Sequence, residues 1–390
     1  MRCLLVLIAA LTCVRSAAGP YRVSHDAYIW QRHWTPALAR AIDGNADLFA
    51  VWHVLAAEIE ASGKVTSARA DWARVEANGH AVVPVIRVEG QIAPETMDRV
   101  VADVVAIVAS LPVSVRGRLE IDHDSATARL AGYARFLTAL RTALGAGTVL
   151  SITVLPTWLS APAFPSVADT ADLLVLQVHA IDDPRVGLFD ANRAERWVEA
   201  LGHRTRRPFL VALPAYGARV AASPAGKLLA VSAEMHALDG EPGSEIAASP
   251  AMLASFLEAM RRDAPDGLRG LVWFRLPTAG DRRALSAATL RAVITGSPLR
   301  SHIDVAVRPG WIDGLSDILV TNQGDIDGRL PASVPLPAGC ERADGVGQYQ
   351  LDGARLRLRG NGSALLPAHE SVLVGWMRCD GRDEDLHAEE

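Results

Sequence analysis

From Tyr21 to about Ser297 one unit recurs: a short run rich in Val, Ile and Leu, a loop, then a stretch rich in Ala, Arg and Glu. The runs are Ala27 to Trp34, Ala46 to Leu55, Ala81 to Val88, Arg118 to Asp124, Val149 to Leu155, Leu173 to Ile181, Phe209 to Tyr216 and Gly270 to Leu276. Strands that alternate with helices pair in parallel, because the helix carries the chain back across the sheet face. Eight such units in about 280 residues predict a single (β/α)8 TIM barrel. An open doubly wound sheet is the competing arrangement, but no glycine-rich phosphate loop follows the first run.

Helices are predicted over Pro94 to Ser110, over Ala126 to Leu144 behind Ser125 or Asp124 as a cap, and over Ala191 to His203. Ser249-Pro250 opens another over Ala251 to Arg262, and Asp281 to Ile294 is the last of the barrel. The Gly/Ala/Ser-rich segment Gly217 to Ala248 far exceeds the roughly 2 to 6 residues usual in an α/β connection. It follows the seventh run, on the side where barrel loops line a site. It reads as a lid or substrate wall, with an ordered insertion of no function as the equal alternative.

Past Pro298 short alternating runs such as Ile303 to Val307, Asp317 to Thr321, Ala354 to Leu358 and Ser371 to Met377 are separated by Gly, Pro and Asn. These predict a small antiparallel β domain over 299–380, after a barrel over 20–298 and before a charged, disordered tail over 381–390.

Met1-Arg2, the apolar run Cys3 to Val14 and Arg15-Ser-Ala-Ala-Gly19 have the three parts of a secretory signal peptide, with cleavage expected after Ala18. The run is too short to cross a bilayer, which takes roughly 20 residues. A periplasmic or secreted protein is therefore expected. Lipid attachment at Cys13 is the lesser alternative, since Thr12 stands where a small Gly or Ala is usual. Export leaves Cys340 and Cys379, whose natural state in an oxidising compartment is one disulfide. A net charge of -5 with no long Lys/Arg cluster argues against a nucleic-acid partner. Nothing in the sequence sets the oligomeric state.

The chemistry concentrates in Gly117-Arg-Leu-Glu-Ile-Asp-His-Asp-Ser125, where Glu120, Asp122 and Asp124 share one parity and Leu119 and Ile121 the other. In a strand the three acids share a face. Neighbouring like charges push at least one carboxyl pKa upward, which is how a carboxyl becomes a proton donor near neutral pH. The structural alternative has Asp124 capping the next helix and Asp122 paired with Arg87.

Barrel strands must be apolar where they meet helices, so the parity carrying polar groups faces inward. By that rule Arg87 and Glu89, Ser151 and Thr153, Gln177 and His179, Tyr216, and Trp273 with Arg275 point into the barrel at its C-terminal rim. Trp30, Trp34 and Trp158 add flat faces. Aromatic faces beside carboxylates and amides suit sugar rings. Each group also has a plain structural use: Arg87 and Glu89 as a mutual pair, His179 as a bonded core histidine, Trp273 as a plug. Asp122, Asp124, Glu89 and His179 offer metal-type donors, but no tight HExxH-like spacing supports one; no metal and no cofactor are expected.

Leu119-Glu-Ile-Asp-His-Asp124 resembles the fourth-strand motif of chitinase-type glycoside hydrolases. The resemblance implies Asp124 as proton donor, Asp122 and Glu120 as supporting acids, His179 near the place of a sixth-strand tyrosine, and Trp273 as the eighth-strand tryptophan that floors the sugar site. The donor position holds Asp where that family has Glu, and Gly117-Arg118 replaces its Asp-Gly lead-in. Over almost its whole length, and more specifically, the chain resembles an exported bacterial family known only as a domain of unknown function. The Leu150 to Trp158 and Leu176 to His179 segments carry this likeness, which implies no activity. The expectation is an exported hydrolase of a polysaccharide, with Glu89, Asp122 or a substrate N-acetyl group as the second reacting group. The alternative is a non-catalytic carbohydrate-binding barrel or cell-envelope protein.

Overall fold

The computed structural model describes residues 23–179, 187–223, 228–232, 243–281, 283–359 and 365–379. The expected signal peptide, Ile181 and the charged tail lie outside these residues. Eight parallel strands form the barrel: β1 (Ser24–Ile29), β2 (Val51–Ile59), β3 (Ala81–Val88), β4 (Arg118–Asp122), β5 (Val149–Val154), β6 (Leu173–Gln177), β7 (Phe209–Pro214) and β8 (Leu268–Phe274). Each is followed by a helix: α1 (Pro36–Asn45), α2 (Trp72–Ala77), α3 (Met97–Ser110), α4 (Leu130–Leu144), α5 (Phe164–Ala168), α6 (Ala191–Arg204), α7 (Pro250–Arg262) and α8 (Ala287–Thr295). β1 closes the barrel, Ala27 standing beside both Trp52 of β2 and Trp273 of β8.

Two apolar layers follow from strand alternation. Outward side chains such as Leu119, Ile121, Ile152 and Val154 pack under the helices with Val104, Phe136 and Leu137. In α4 the buried Leu130, Tyr133, Phe136, Leu137 and Leu140 recur at three- and four-residue spacing, so one stripe of that helix meets the sheet. A smaller cluster of Tyr28, Trp30, Leu55, Val85, Val175, Leu210 and Val272 fills the barrel itself, joined by Phe274.

Element ends depart from expectation where local chemistry intervenes. β1 stops at Ile29 because the chain turns into α1, where Thr35 accepts from Leu38 N at 3.2 Å and Pro36 takes the first helical position. A 3-10 turn over Thr127–Arg129 precedes α4, and no side chain caps that helix, so Asp124 is not its cap. The last barrel helix starts at Ala287 rather than Asp281, since Ser286 accepts from Thr289 N at 3.1 Å. The described part of the long segment after β7 is a three-stranded antiparallel sheet of Gly217–Ala222, Leu228–Ser232 and Gly243–Ala247. Gly217 is required there, because a Cβ would stand 2.7 Å from the Ile246 carbonyl oxygen.

Beyond α8 a four-stranded antiparallel sheet runs in the order Ile303–Pro309, Ser316–Asn322, Ser371–Cys379, Cys340–Gly345. It shares a core with a three-stranded sheet of Ser333–Pro335, Arg355–Leu358 and Tyr349–Asp352, built on Ile318, Val320, Val334, Tyr349, Leu356, Val374 and Met377. A disulfide joins Cys340 to Cys379 on adjacent strands. Asp327 docks this unit on the barrel: its carboxylate accepts from Ser286 N at 2.8 Å, and its own N–H donates to Thr289 Oγ1 at 2.7 Å. Among the described residues no helix is long and apolar enough to cross a membrane.

Candidate active site

Strand register brings the acids together. In the β3–β4 pair Arg87 is the partner of Asp122 and Val85 that of Glu120, and in the β4–β5 pair Glu120 stands beside Ser151. At the C-terminal rim Arg87 is surrounded by carboxylates: Nη1 donates to Asp122 Oδ2 at 3.0 Å, while Nε lies 3.5 Å from Glu89 and Nη2 3.8 Å from Asp124. Gln177 Nε2 donates to the other Asp122 oxygen at 3.2 Å. Asp122 is thus held on both oxygens and buried, whereas the side chains of Asp124 and Glu89 are 53% and 42% exposed. The expected Arg87–Glu89 and Arg87–Asp122 pairs are both present.

One layer deeper, Glu120 is wholly buried and accepts from Tyr28 Oη at 2.5 Å, from His53 Nδ1 at 2.8 Å and from Ser151 Oγ at 3.4 Å. His53 Nε2 stands 3.5 Å from Asp26 Oδ2, an ion-pair distance without hydrogen-bond geometry. A carboxylate can only accept, so an imidazole facing one at each nitrogen is best satisfied as the doubly protonated cation.

Burial opposes a charge on His53, yet Glu120 and Asp26 outweigh it and push its pKa up to about 9. Burial lifts Asp122 to about 7, with Arg87 pulling down and Asp124 and Glu120 pushing further up. The expected upward shift in strand four therefore falls on Asp122. For Arg87 burial favours the neutral form, but Asp122, Asp124, Glu89 and Glu58 overcome this and raise its pKa.

Aromatic rings wall one side of the rim. Phe274 is central: Trp30 meets it edge-on at 5.0 Å, Tyr216 edge-on at 5.4 Å, and His179 stacks on it at 5.9 Å. Arg87 Cζ lies 6.0 Å from the Trp30 centroid, within cation–π range. His179 Nδ1 and Tyr216 Oη share a 3.0 Å hydrogen bond. Burial lowers the His179 pKa to about 4, so it is a neutral member of the wall. Burial, eased by Arg275 and reinforced by Asp124, raises Tyr216 to about 12. Arg275 is buried and bound to Asp281 at 2.6 Å.

Three tryptophans expected at this rim are elsewhere. Trp273 is fully buried in the helix-side core and donates from Nε1 to His25 Nδ1 at 3.1 Å. On β8 the inward parity is that of Val272 and Phe274; reading Trp and Arg as the polar parity inverted it. Trp158 is also fully buried, edge-on to Tyr133, and its indole N–H donates to the Ser125 carbonyl at 2.9 Å. The 3-10 turn Pro156–Trp158 folds the ring onto α4 instead of over the mouth. Trp34, beyond the end of β1, packs half-buried against the helix-side core.

Sequence reasoning missed Tyr28, Asp26, His53 and Phe274. Extending the polar-parity rule to the first two strands would have found the first three. Among the described residues no group of three or more His, Cys, Asp or Glu side chains is arranged to hold a metal ion. Two surface hollows lie away from this rim: about 510 Å³ beside α4 and α5, and about 270 Å³ around His80 and Arg118 at the opposite mouth. Neither includes Asp122 or Asp124, so paired acids rather than cavity size mark the site.

Residues 78–279 match the family model described as "Domain of unknown function (DUF3142)", and residues 306–380 the one described as "Domain of unknown function (DUF8456)". No curated protein matches the chain. Among solved structures it is similar to the spore cortex-lytic enzyme SleL of Bacillus cereus, with TM-score 0.52 and 10% identity over 72% of this chain and 75% of that one. SleL of Bacillus megaterium gives TM-score 0.50 and 12% identity over 67% of this chain and 72% of that one. A chitinase from Chromobacterium violaceum gives TM-score 0.50 and 15% identity over 71% of this chain and all of that one. At these identities the likeness is one of fold.

Proposed function

We propose, from the premise that the chain belongs to the family described as Domain of unknown function (DUF3142), that its barrel is a glycoside hydrolase acting on a polysaccharide. The observation that carries this reading is the graded set of acids on β4 and just beyond it: Glu120 buried and bonded, Asp122 buried and lifted to about 7, Asp124 open to solvent beside them. Asp124 is the group that reaches a leaving oxygen and donates its proton. Asp122, with both oxygens held by Arg87 and Gln177, is a positioning acid rather than the group that attacks a sugar carbon. The second reacting group is then the open Glu89 or, as the chitinase resemblance implies, an N-acetyl carbonyl of the substrate. Trp30, Phe274 and Tyr216 offer ring faces to the sugar, and Gln177 and His179 polar edges.

Action outside the cytoplasm fits the signal-like Met1 to Ala18 segment and the disulfide. The solved neighbours named for chitin and for spore cortex make those polymers the first to test.

One observation favours a second reading, a non-catalytic carbohydrate-binding barrel. The donor position holds the shorter Asp124, already within ion-pair range of Arg87. Asp124→Asn separates the two. General acid catalysis contributes a factor of about 100 to 10,000, so turnover of a β-linked hexosamine polymer should fall at least about a hundredfold with binding and melting temperature unchanged. Retained turnover in the mutant, or none by the wild type on hexosamine and neutral glycans, removes the hydrolase reading.

A further inference from the structure

We propose that the outer face of the small domain's four-stranded sheet is a second carbohydrate-binding site, with Trp311 and Trp376 as its ring platforms and a polysaccharide chain as its ligand. The inner face of this sheet, through Ile318, Val320, Val374 and Met377, forms the domain core. Strand alternation sends the intervening side chains the other way. Register sets Arg308, Asp317, Trp376 and Asp344 side by side across all four strands, and Ala306, Leu319 and Leu373 in the next rank.

Trp311 stands at the hairpin between the first two strands of this sheet, 91% exposed beside the exposed Ile312. The hairpin folds toward the same end of the sheet: a Cβ on Gly310 would lie 3.4 Å from Asp317 Oδ1, and one on Gly314 3.8 Å from the Arg378 guanidinium. An indole left almost wholly in water has its ring face free to stack on a ligand.

The composition of the face selects its occupant. Arg308, Arg342 and Arg378 are balanced by Asp304, Asp317 and Asp344, so the surface lacks the excess of one sign that a polyanion requires. A stable protein partner needs about 800 Å² a side with an apolar centre depleted of charge, whereas here Trp376 shares its rank with Arg308, Asp317 and Asp344. Ring faces interleaved with carboxylates and guanidinium groups fit a sugar chain, which presents C–H faces to the rings and hydroxyls to the charges. The polymer is the class proposed for the barrel, and the site would hold the chain near it.

The test is co-sedimentation of the full-length protein with insoluble chitin and cellulose, in an Asp124→Asn background that removes turnover. Pelleting with at least one polymer, weakened on the order of tenfold by Trp311→Ala, is expected. Trp311→Ala alone should leave turnover of a short soluble oligosaccharide unchanged. Pelleting unaffected by Trp311→Ala overturns the proposal, as does a wild-type protein that binds neither polymer. Self-association abolished by Trp311→Ala assigns the face to a second copy and also overturns it. Trp311-dependent pelleting together with no turnover by the wild type keeps this site and removes the hydrolase reading, while wild-type turnover with Trp311-independent pelleting does the reverse.

Discussion

His53 Nδ1 stands 2.8 Å from Glu120 Oε2, both side chains essentially sealed from solvent beneath the acids of the rim. A buried carboxylate and imidazole at that distance form a charge pair whose loss on either side leaves an uncompensated buried ion. The folded-state pKa of His53, about 9, lies above its ordinary 6.5. The folded protein therefore binds this proton more tightly than the unfolded chain.

Stability from this pair is fully present below about pH 6.5 and lost as pH rises through about 9. The full loss is about 3 kcal/mol at 1.36 kcal/mol per pKa unit. Urea unfolding at pH 6.5, 7.5 and 9 should show the fall, and His53→Gln should be less stable at pH 6.5 with the slope removed. A wild-type stability flat over that window would mean His53 is neutral.

Asp122 supplies the second pH dependence. Its pKa of about 7 keeps it protonated in mildly acid solution and ionised above neutrality. If the protonated form supports turnover, kcat/KM on a soluble oligosaccharide falls as pH rises through about 7. Asp122→Asn, fixed neutral, should lose that limb whatever its residual rate.

Phe274 and Trp273 are neighbours in sequence with opposite tasks. Phe274→Ala should weaken oligosaccharide binding by on the order of 1 kcal/mol or more through lost ring contact. Trp273→Ala should instead empty part of the helix-side core and cost about 3 to 5 kcal/mol of stability. Calorimetry and thermal melts on both variants check the assignment, and the reverse pattern would restore Trp273 as the floor of the site.

Replacing both Cys340 and Cys379 with Ser opens a link spanning 39 residues of sequence. The lost constraint on the unfolded chain is worth roughly 3 to 4 kcal/mol. The small domain's melting temperature should drop while turnover on a soluble oligosaccharide holds.

The barrel was legible because eight apolar runs at regular intervals admit few closed arrangements, and the acids of β4 were legible because their alternation is unbroken. Inward and outward faces were harder to separate. Trp is apolar enough for the helix side and polar enough to be mistaken for a rim residue, so Trp273 and Trp158 were both misplaced. His53 and Asp26 come from strands far from β4 in sequence: His53 reaches Glu120 across the intervening β3, and Asp26 reaches only His53. Closure brings Phe274 against Trp30, a pairing no local pattern encodes.

The order of strands in the small domain sets a timetable for its assembly. Ser371–Cys379 is the last described strand in the chain yet lies inside its sheet, bonded on one side to Ser316–Asn322 and on the other to Cys340–Gly345. Until that strand is in place, the first hairpin and the Cys340 strand have nothing between them, and Cys340 lacks Cys379. The barrel, whose strands all precede residue 275, can close earlier. A chain shortened before Ser371 would therefore keep a complete barrel and carry a split, unpaired sheet behind it.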